Sequence, residues 1–404
     1  MSVGYRTPSA LHGLKVVSRV AQLHTAAVVV ANARVERALR ARPGIRFVQR
    51  TVARTESGSV SGPFTTGGAA IPEWQWTATH ADLVPSWVQD AATNVTIAVV
   101  DTGADVLAPT IAAKKPITWN VASGTSTVHD NVGHGTFVAS LAAGGISDPA
   151  GMLGFGGQAQ LMIVQANRGG AGFTDVDEAN AIVYAVDHGA NIVNLSLGGP
   201  QTSATERGAI DYATSHGVLL VAAAGNSAEQ GNPVMYPAAL IGRSGLVVGA
   251  AGADGTRASF STMGKYVDVL APGVDVLGAL ATGISSGFFT PAVTPGASGE
   301  YGYGSGTSYA TPEVAGAAAL VWAANPKLDA AGVAATIEGT ASGDGAWTTD
   351  LAFGNMNVAA AVASAAGGLP PTVTKPVTLP GPKLLKPAKA HAHAVAKKPK
   401  RARP

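Results

Sequence analysis

The sequence predicts an α/β fold: a doubly wound parallel sheet with helices on both faces. Three observations predict it. The short, mainly apolar runs Val95–Val100, Leu161–Ala166, Ile192–Leu195, Val218–Ala223 and Leu246–Ala251 have the length and composition of strands buried on both faces. Segments with helix punctuation alternate with them, through short loops. Several runs end on a polar residue, and in an open parallel sheet ligands gather at the carboxyl ends of the strands.

Residues 1–28 carry no assignable pattern. Two readings compete for the stretch around residue 30. In a signal-peptide reading, Lys15 and Arg19 precede the apolar Ala26–Ala31, and Ala31-Asn32-Ala33 offers a small-residue cleavage site. His24 interrupts that apolar region and leaves it short. In the other reading, Ala27–Val30 is a strand and Ala33–Ala41 an amphipathic helix with Val35 and Leu39 on one face. Gly44 then turns the chain into a second strand, Ile45–Val52. Residues 1–56 are thus an N-terminal extension. Residues 57–72, rich in Gly, Ser and Thr, are expected to be a linker open to processing. Pro72–Val88 holds three of the six Trp, at 74, 76 and 87, and is expected to pack on the surface of the main domain.

The main domain is expected over residues 73–366. His134–Ala143 reads as a helix. Thr174–His188 is another, with Thr174 and Asp177 spaced as a capping box and Gly189 as the stop. Ser203–His216 repeats this punctuation with Ser203, Glu206 and Gly217. Gly278–Tyr303 breaks the rhythm and reads as a long surface loop. Helices near Asp329–Thr340 and Val358–Ala366 close the domain.

Composition bounds the function. The 404 residues are 46% hydrophobic, enough for a large core, and no run of eighteen apolar residues suggests a membrane span. With Cys 0 there are no disulfides and no thiolate metal sites. The net charge of +2 hides an asymmetry. Residues 367–404 hold seven Lys, two Arg and no acid, so 27 − 9 = 18 basic residues face 25 acidic ones elsewhere, a net of −7. A mildly acidic body argues against nucleic-acid binding by the main domain. The Pro/Lys-rich tail cannot bury enough apolar surface to fold and is expected to be disordered, with an anionic cell envelope as a partner its charge would suit.

The chemistry points to one machine. Gly304-Ser305-Gly306-Thr307-Ser308 is a glycine turn that delivers a serine to the start of an apolar helix. Asp101 ends an apolar strand, where a carboxylate is costly without a partner. His134 opens a helix within Gly133-His134-Gly135-Thr136, and Asn226 follows another strand after Gly225. Singly these read as a helix cap, a turn acid, a surface histidine and a turn former. Together they supply a nucleophile, a base, the carboxylate that orients the base, and an oxyanion donor.

The chain order Asp…His…Ser, with the blocks VVDTG, GHGTFVAS, NLSLGG, AAAGN and GTSYATPEVAG, resembles the subtilisin-like serine proteases over roughly residues 75–366. Strand–helix–strand ending in RPGIRFVQR likewise resembles the second half of the inhibitory prodomain of that family; the first half is not recognisable. The resemblance implies a serine endopeptidase that needs no cofactor for catalysis. It implies a triad of Asp101, His134 and Ser308, with Asn226 as oxyanion donor. Gly170-Ala171-Gly172 and Ser196-Leu197-Gly198 match the segments that pair with substrate backbone, and Met235 falls where the family places the pocket floor. It further implies polypeptide substrates, a monomer, and a secreted or envelope-associated enzyme.

The departures are as specific. Thr110 stands where an acid often ligands calcium, leaving Asp105 and Asp130 as other oxygen sources. Tyr309 follows the nucleophile in place of Met, and Glu313 replaces a His, near enough to the helix start for the dipole to favour a carboxylate. The alternative is a catalytically silent protease-fold binding or scaffolding protein, which the retained triad and Asn226 argue against. A lipase-type order, Ser…Asp…His, does not fit.

Overall fold

A computed structural model describes residues 1–56, 73–145, 152–170, 172–242, 245–284, 289–291, 301–342 and 353–367. The expected linker at 57–72, Ala171 and the tail beyond Gly367 lie outside the described residues.

The first 49 residues fold as a small unit: β1 (Ser2–Tyr5), β2 (Val16–Val20), β3 (Thr25–Val28), α1 (Ala33–Arg40) and β4 (Ile45–Gln49). The strands form an antiparallel sheet in the order β2-β3-β1-β4, over a core that includes Val3, Tyr5, Leu11, Ala26, Val28, Leu39 and Val48. The segment of the signal-peptide reading is part of this sheet. Ala26 is buried in β3, and Asn32 caps α1 by accepting the N–H groups of Arg34 and Val35. Two strands within residues 1–28 were not foreseen. They are four or five residues long, and β2 alternates inward and outward residues rather than running apolar. The strand expected to run to Val52 stops at Gln49. The chain then leaves this sheet and makes a separate strand, β5 (Ala53–Glu56).

The body follows with α2 (Trp74–Ala78), α3 (Ser86–Ala91), β6 (Thr96–Asp101), α4 (Pro109–Ala112), β7 (Ile117–Asn120), α5 (His134–Ala143), β8 (Gln160–Gln165), β9 (Phe173–Thr174) and α6 (Asp175–Asp187). Next come β10 (Ile192–Leu195), β11 (Leu197–Gly198), α7 (Ala204–Ser215), β12 (Leu219–Ala223), α8 (Ala238–Ile241), β13 (Gly245–Ala251), β14 (Val269–Pro272) and β15 (Val276–Ala279). The last are β16 (Thr290–Pro291), β17 (Tyr301–Gly304), α9 (Thr307–Ala324), α10 (Ala330–Thr340), β18 (Gly354–Asn355) and α11 (Val358–Ala365).

Eight strands form a parallel sheet in the order β18-β14-β13-β12-β10-β6-β8-β7. Alternation along β6 shows why Ile97 to Val100 are all apolar. Ile97 and Val99 face a core with α5, α9, α10 and α11, while Ala98 and Val100 face a second core with α6 and α7. The doubly wound sheet with helices on both faces is therefore as expected. Trp74 and Trp76 pack on the body, their indole N–H groups donating to the carbonyls of Asp275 and Leu153; Trp87 stays 54% exposed.

Gly278–Tyr303 is not simply a surface loop. Its described residues belong largely to a three-stranded antiparallel sheet, β15-β17-β16. Tyr301 is buried, and the Phe289 ring stacks on Phe137 at 4.7 Å. Short strands such as Tyr-Gly-Tyr-Gly carry a loop-like composition and hide from hydrophobic periodicity.

Candidate active site

Three element ends converge. Asp101 is the last residue of β6, His134 the first of α5, and Ser308 the second of α9. His134 Nδ1 and Asp101 Oδ1 are 2.8 Å apart, and Asp101 Oδ1 also accepts the Thr102 N–H at 2.7 Å. The helix can approach the strand this closely because residue 135 is glycine; a Cβ there would lie 2.1 Å from the Gly103 carbonyl oxygen. Burial of the His134 ring works against its cation, but the charge and hydrogen bond of Asp101 outweigh it, and the pKa is raised above 6.5.

Asp130 ties this corner together. Its Oδ1 accepts from the Thr102 hydroxyl and the Gly133 N–H, and its Oδ2 from the N–H and hydroxyl of Thr136. Asp105 accepts the N–H groups of Leu107 and Thr282. Thr110 is buried in α4. Among the described residues, no group of three or more His, Cys, Asp and Glu could hold a metal ion.

The nucleophile candidate is turned aside. Ser308 Oγ donates to the Ser196 carbonyl at 2.9 Å, and Ser196 Oγ donates to the Ser308 carbonyl at 2.8 Å. His134 Nε2 is buried and has no hydrogen-bond partner. The His134 ring lies 5.6 Å from that of Tyr309, the residue after Ser308. Asn226 Oδ1 accepts both the N–H and the hydroxyl of Thr307, at 2.9 Å each, so the donor end of its amide is turned away from Thr307. Sequence reasoning passed over Thr307, although it directly precedes Ser308. Met235 lies buried against Gly225, beside Asn226.

Ser308 is fully buried and His134 is 3% exposed. Strand β5 runs alongside. It pairs antiparallel with β11, Glu56 opposite Leu197 and Thr55 opposite Gly198, and on its other side with β9, Ala53 opposite Thr174 and Arg54 opposite Phe173. The chain thus lies as the middle strand of a three-stranded sheet, one residue from the Ser196 carbonyl that holds Ser308. Glu56 has a raised pKa; desolvation drives it up and the charge of His134 opposes this. Leu197–Gly198, within one of the two segments expected to pair with substrate backbone, pairs here with β5 of the same chain. On the other side the partner is Phe173–Thr174, just beyond Gly170–Gly172, and Gly172 only comes close, a Cβ there falling 3.7 Å from the Arg54 carbonyl. The signal for that pairing was available: Phe173 precedes the capping threonine, where a strand must end.

The family model described as Subtilase family (Peptidase_S8) matches residues 92–359, from just before β6 into α11. The chain belongs to the subtilase family. Among its relatives in that family, Subtilisin NAT of Bacillus subtilis subsp. natto is 35% identical over 257 residues, 62% of this chain and 61% of that protein. Thermitase of Thermoactinomyces vulgaris is 34% identical over 280 residues, 69% of this chain and 91% of that protein. The match thus spans 61% of the length of the first curated relatives. Among solved structures, fervidolysin from Fervidobacterium pennivorans, a keratinolytic enzyme related to subtilisin, superposes with a TM-score of 0.74 at 27% identity. That superposition covers 92% of this subtilase and 61% of the fervidolysin chain.

Proposed function

We propose that this subtilase is a serine endopeptidase that hydrolyses peptide bonds through an acyl-enzyme on Ser308, and that the described chain holds itself shut. The observation that carries the reading is the Asp101–His134 hydrogen bond, with the His134 ring 5.6 Å from that of Tyr309, next in the chain to Ser308, and a strand paired to β11 as an extended peptide would be. Once Ser308 Oγ turns to His134 Nε2, the imidazole takes its proton as the oxygen attacks the carbonyl carbon. Asp101 stabilises the imidazolium, which then protonates the leaving amine. The Asn226 amide and the Ser308 N–H stabilise the oxyanion. Water repeats the sequence to release the acid. No cofactor enters any step.

Residues 1–56 act as an inhibitory prodomain, residues 57–72 as the linker where processing frees the cleft, and residues 73–366 as the catalytic domain. The uncharged walls Ser196–Gly198 and Ala222–Ala224, with Met235, favour an apolar side chain at the residue before the scissile bond. Calcium dependence is weak, read as a small change in Tm on chelation. The enzyme is a secreted or envelope-associated monomer. Its basic tail holds it on anionic envelope at low salt, which equal retention of a protein lacking residues 370–404 would refute.

Ser308→Ala in the processed enzyme tests the core of this. Peptide hydrolysis should fall by a factor on the order of 10⁶, as when a triad nucleophile is lost, with the fold intact by circular dichroism. Wild-type turnover in the variant would overturn the assignment.

A further inference from the structure

Strand β5 also carries a side chain into the body. Arg54 is fully buried, which an arginine tolerates only when paired. Its Nε donates to Glu178 Oε2 at 3.1 Å and Glu206 Oε1 at 3.0 Å, its Nη2 to Glu206, and its Nη1 to the Ala53 carbonyl at 3.0 Å. Both carboxylates are fully buried. Glu178 lies in the first turn of α6, which follows β9, and Glu206 in the first turn of α7, shortly after β11. The two segments that grip the β5 backbone therefore each lead into one wall of this pocket. Glu206 Oε2 is held by the Thr202 hydroxyl at 2.7 Å, and Glu178 Oε1 has no hydrogen-bond partner.

The arginine sits on the strand that processing would remove; the acids belong to the body. Without a cation the pocket would hold two adjacent carboxylates with no charge partner. Burial, then the charge of Glu206, already push Glu178 up to about 8 with Arg54 in place. An incoming guanidinium would restore the pairing. An apolar side chain would leave buried acids unpartnered, and a lysine offers a point charge in place of a fork.

We propose that Glu178 and Glu206 form a guanidinium-binding subsite through which the enzyme selects polypeptide substrates with arginine at the Arg54 position. The register sets which position this is. Glu56 faces Leu197, so the next substrate residue faces Ser196, whose carbonyl is 2.9 Å from Ser308 Oγ. Counting that residue as the first before the scissile bond, the arginine is the fourth. The proposal rests on the peptidase reading above and names its substrate class.

The test assays processed enzyme on fluorogenic peptides that differ only at the fourth residue before the cleaved bond: Arg, Lys or Leu. The Arg peptide should exceed the Leu peptide in kcat/KM by ~30-fold or more, the low end for a buried charge left without its partner. Lys should fall between, and Glu206→Leu should abolish or invert the preference. Equal rates on all three would overturn the subsite and leave the peptidase intact. No hydrolysis, with no fluorophosphonate labelling of Ser308, would instead sink the peptidase reading, and a second arm then decides the subsite without catalysis. In the full chain carrying Ser308→Ala, Arg54→Leu should speed hydrogen exchange of the β5 amides by about tenfold or more, and adding Glu206→Leu should slow it again. Unchanged exchange in Arg54→Leu would overturn the proposal.

Discussion

At the cleft, Glu178 and Glu206 are buried around a guanidinium; within α9, Glu313 is buried with no hydrogen-bond partner at either carboxylate oxygen. The two regions exclude water equally, since all three side chains are inaccessible. They differ in what else is there. Arg54 opposes the desolvation of Glu206 by charge and hydrogen bond. Around Glu313 nothing opposes it, and burial alone raises its pKa well above 4.5. Burial raises all three acids, and only at the cleft does a partner work against it. The cleft holds acids that face a cation; the helix interior holds one whose charge nothing nearby supports.

The largest effect should come from breaking the paired region. In a Ser308→Ala background, Glu206→Leu removes the main acceptor of Arg54 and should cost about 3–5 kcal/mol of stability against urea, as for a buried ion pair deprived of one member. A loss below about 1 kcal/mol would mean that charge pairing does not hold β5 in place. Glu313 should respond to pH instead. Its folded pKa lies above its unfolded value near 4.5, so its contribution is fully present below pH 4.5 and is lost as pH rises through the folded value. Relative to Glu313→Gln, the parent should lose up to about 1.4 kcal/mol per pH unit across that window. Parallel stability curves for the two proteins would reveal a partner for Glu313. The smallest effect is expected at Arg168, 39% exposed, whose Nε and Nη2 donate to Asp177 at 2.9 and 2.5 Å. Arg168→Ala should cost no more than about 1 kcal/mol. A loss as large as that of Glu206→Leu would break the link between burial and effect.

Both contrasting acids were visible in the sequence, for reasons the structure replaces. Glu206 has the spacing of a capping-box acid. Ser203 does cap α7 by accepting the Glu206 N–H at 3.1 Å, but the carboxylate turns to Arg54. Glu313 was expected to be favoured by the helix dipole. It sits six residues past Thr307, beyond the first turn where that field acts, and its surroundings are dry. The parallel sheet was legible because strands buried on both faces are mainly apolar, with polar residues few enough to leave the runs visible. Asp101, His134, Asn226 and Ser308 were legible because glycine-marked turns flank them at element ends. What stayed hidden depends on distant pairing. Arg54 and Glu206 are 152 residues apart, and no local periodicity records that they meet. The strands β1, β2 and β17 are short and mixed in polarity, so only their sheet partners define them.

The proposed enzyme is a Ser–His–Asp machine kept closed by its own N-terminal strand. Fluorophosphonate labelling of Ser308, followed by mass spectrometry of its peptide in the full chain and after removal of residues 1–56, tests it most directly. Labelling should be rapid in the shortened protein, slow in the full chain, and absent in Ser308→Ala. Equal labelling rates with and without the N-terminal residues, or no labelling of Ser308 in either, would contradict it.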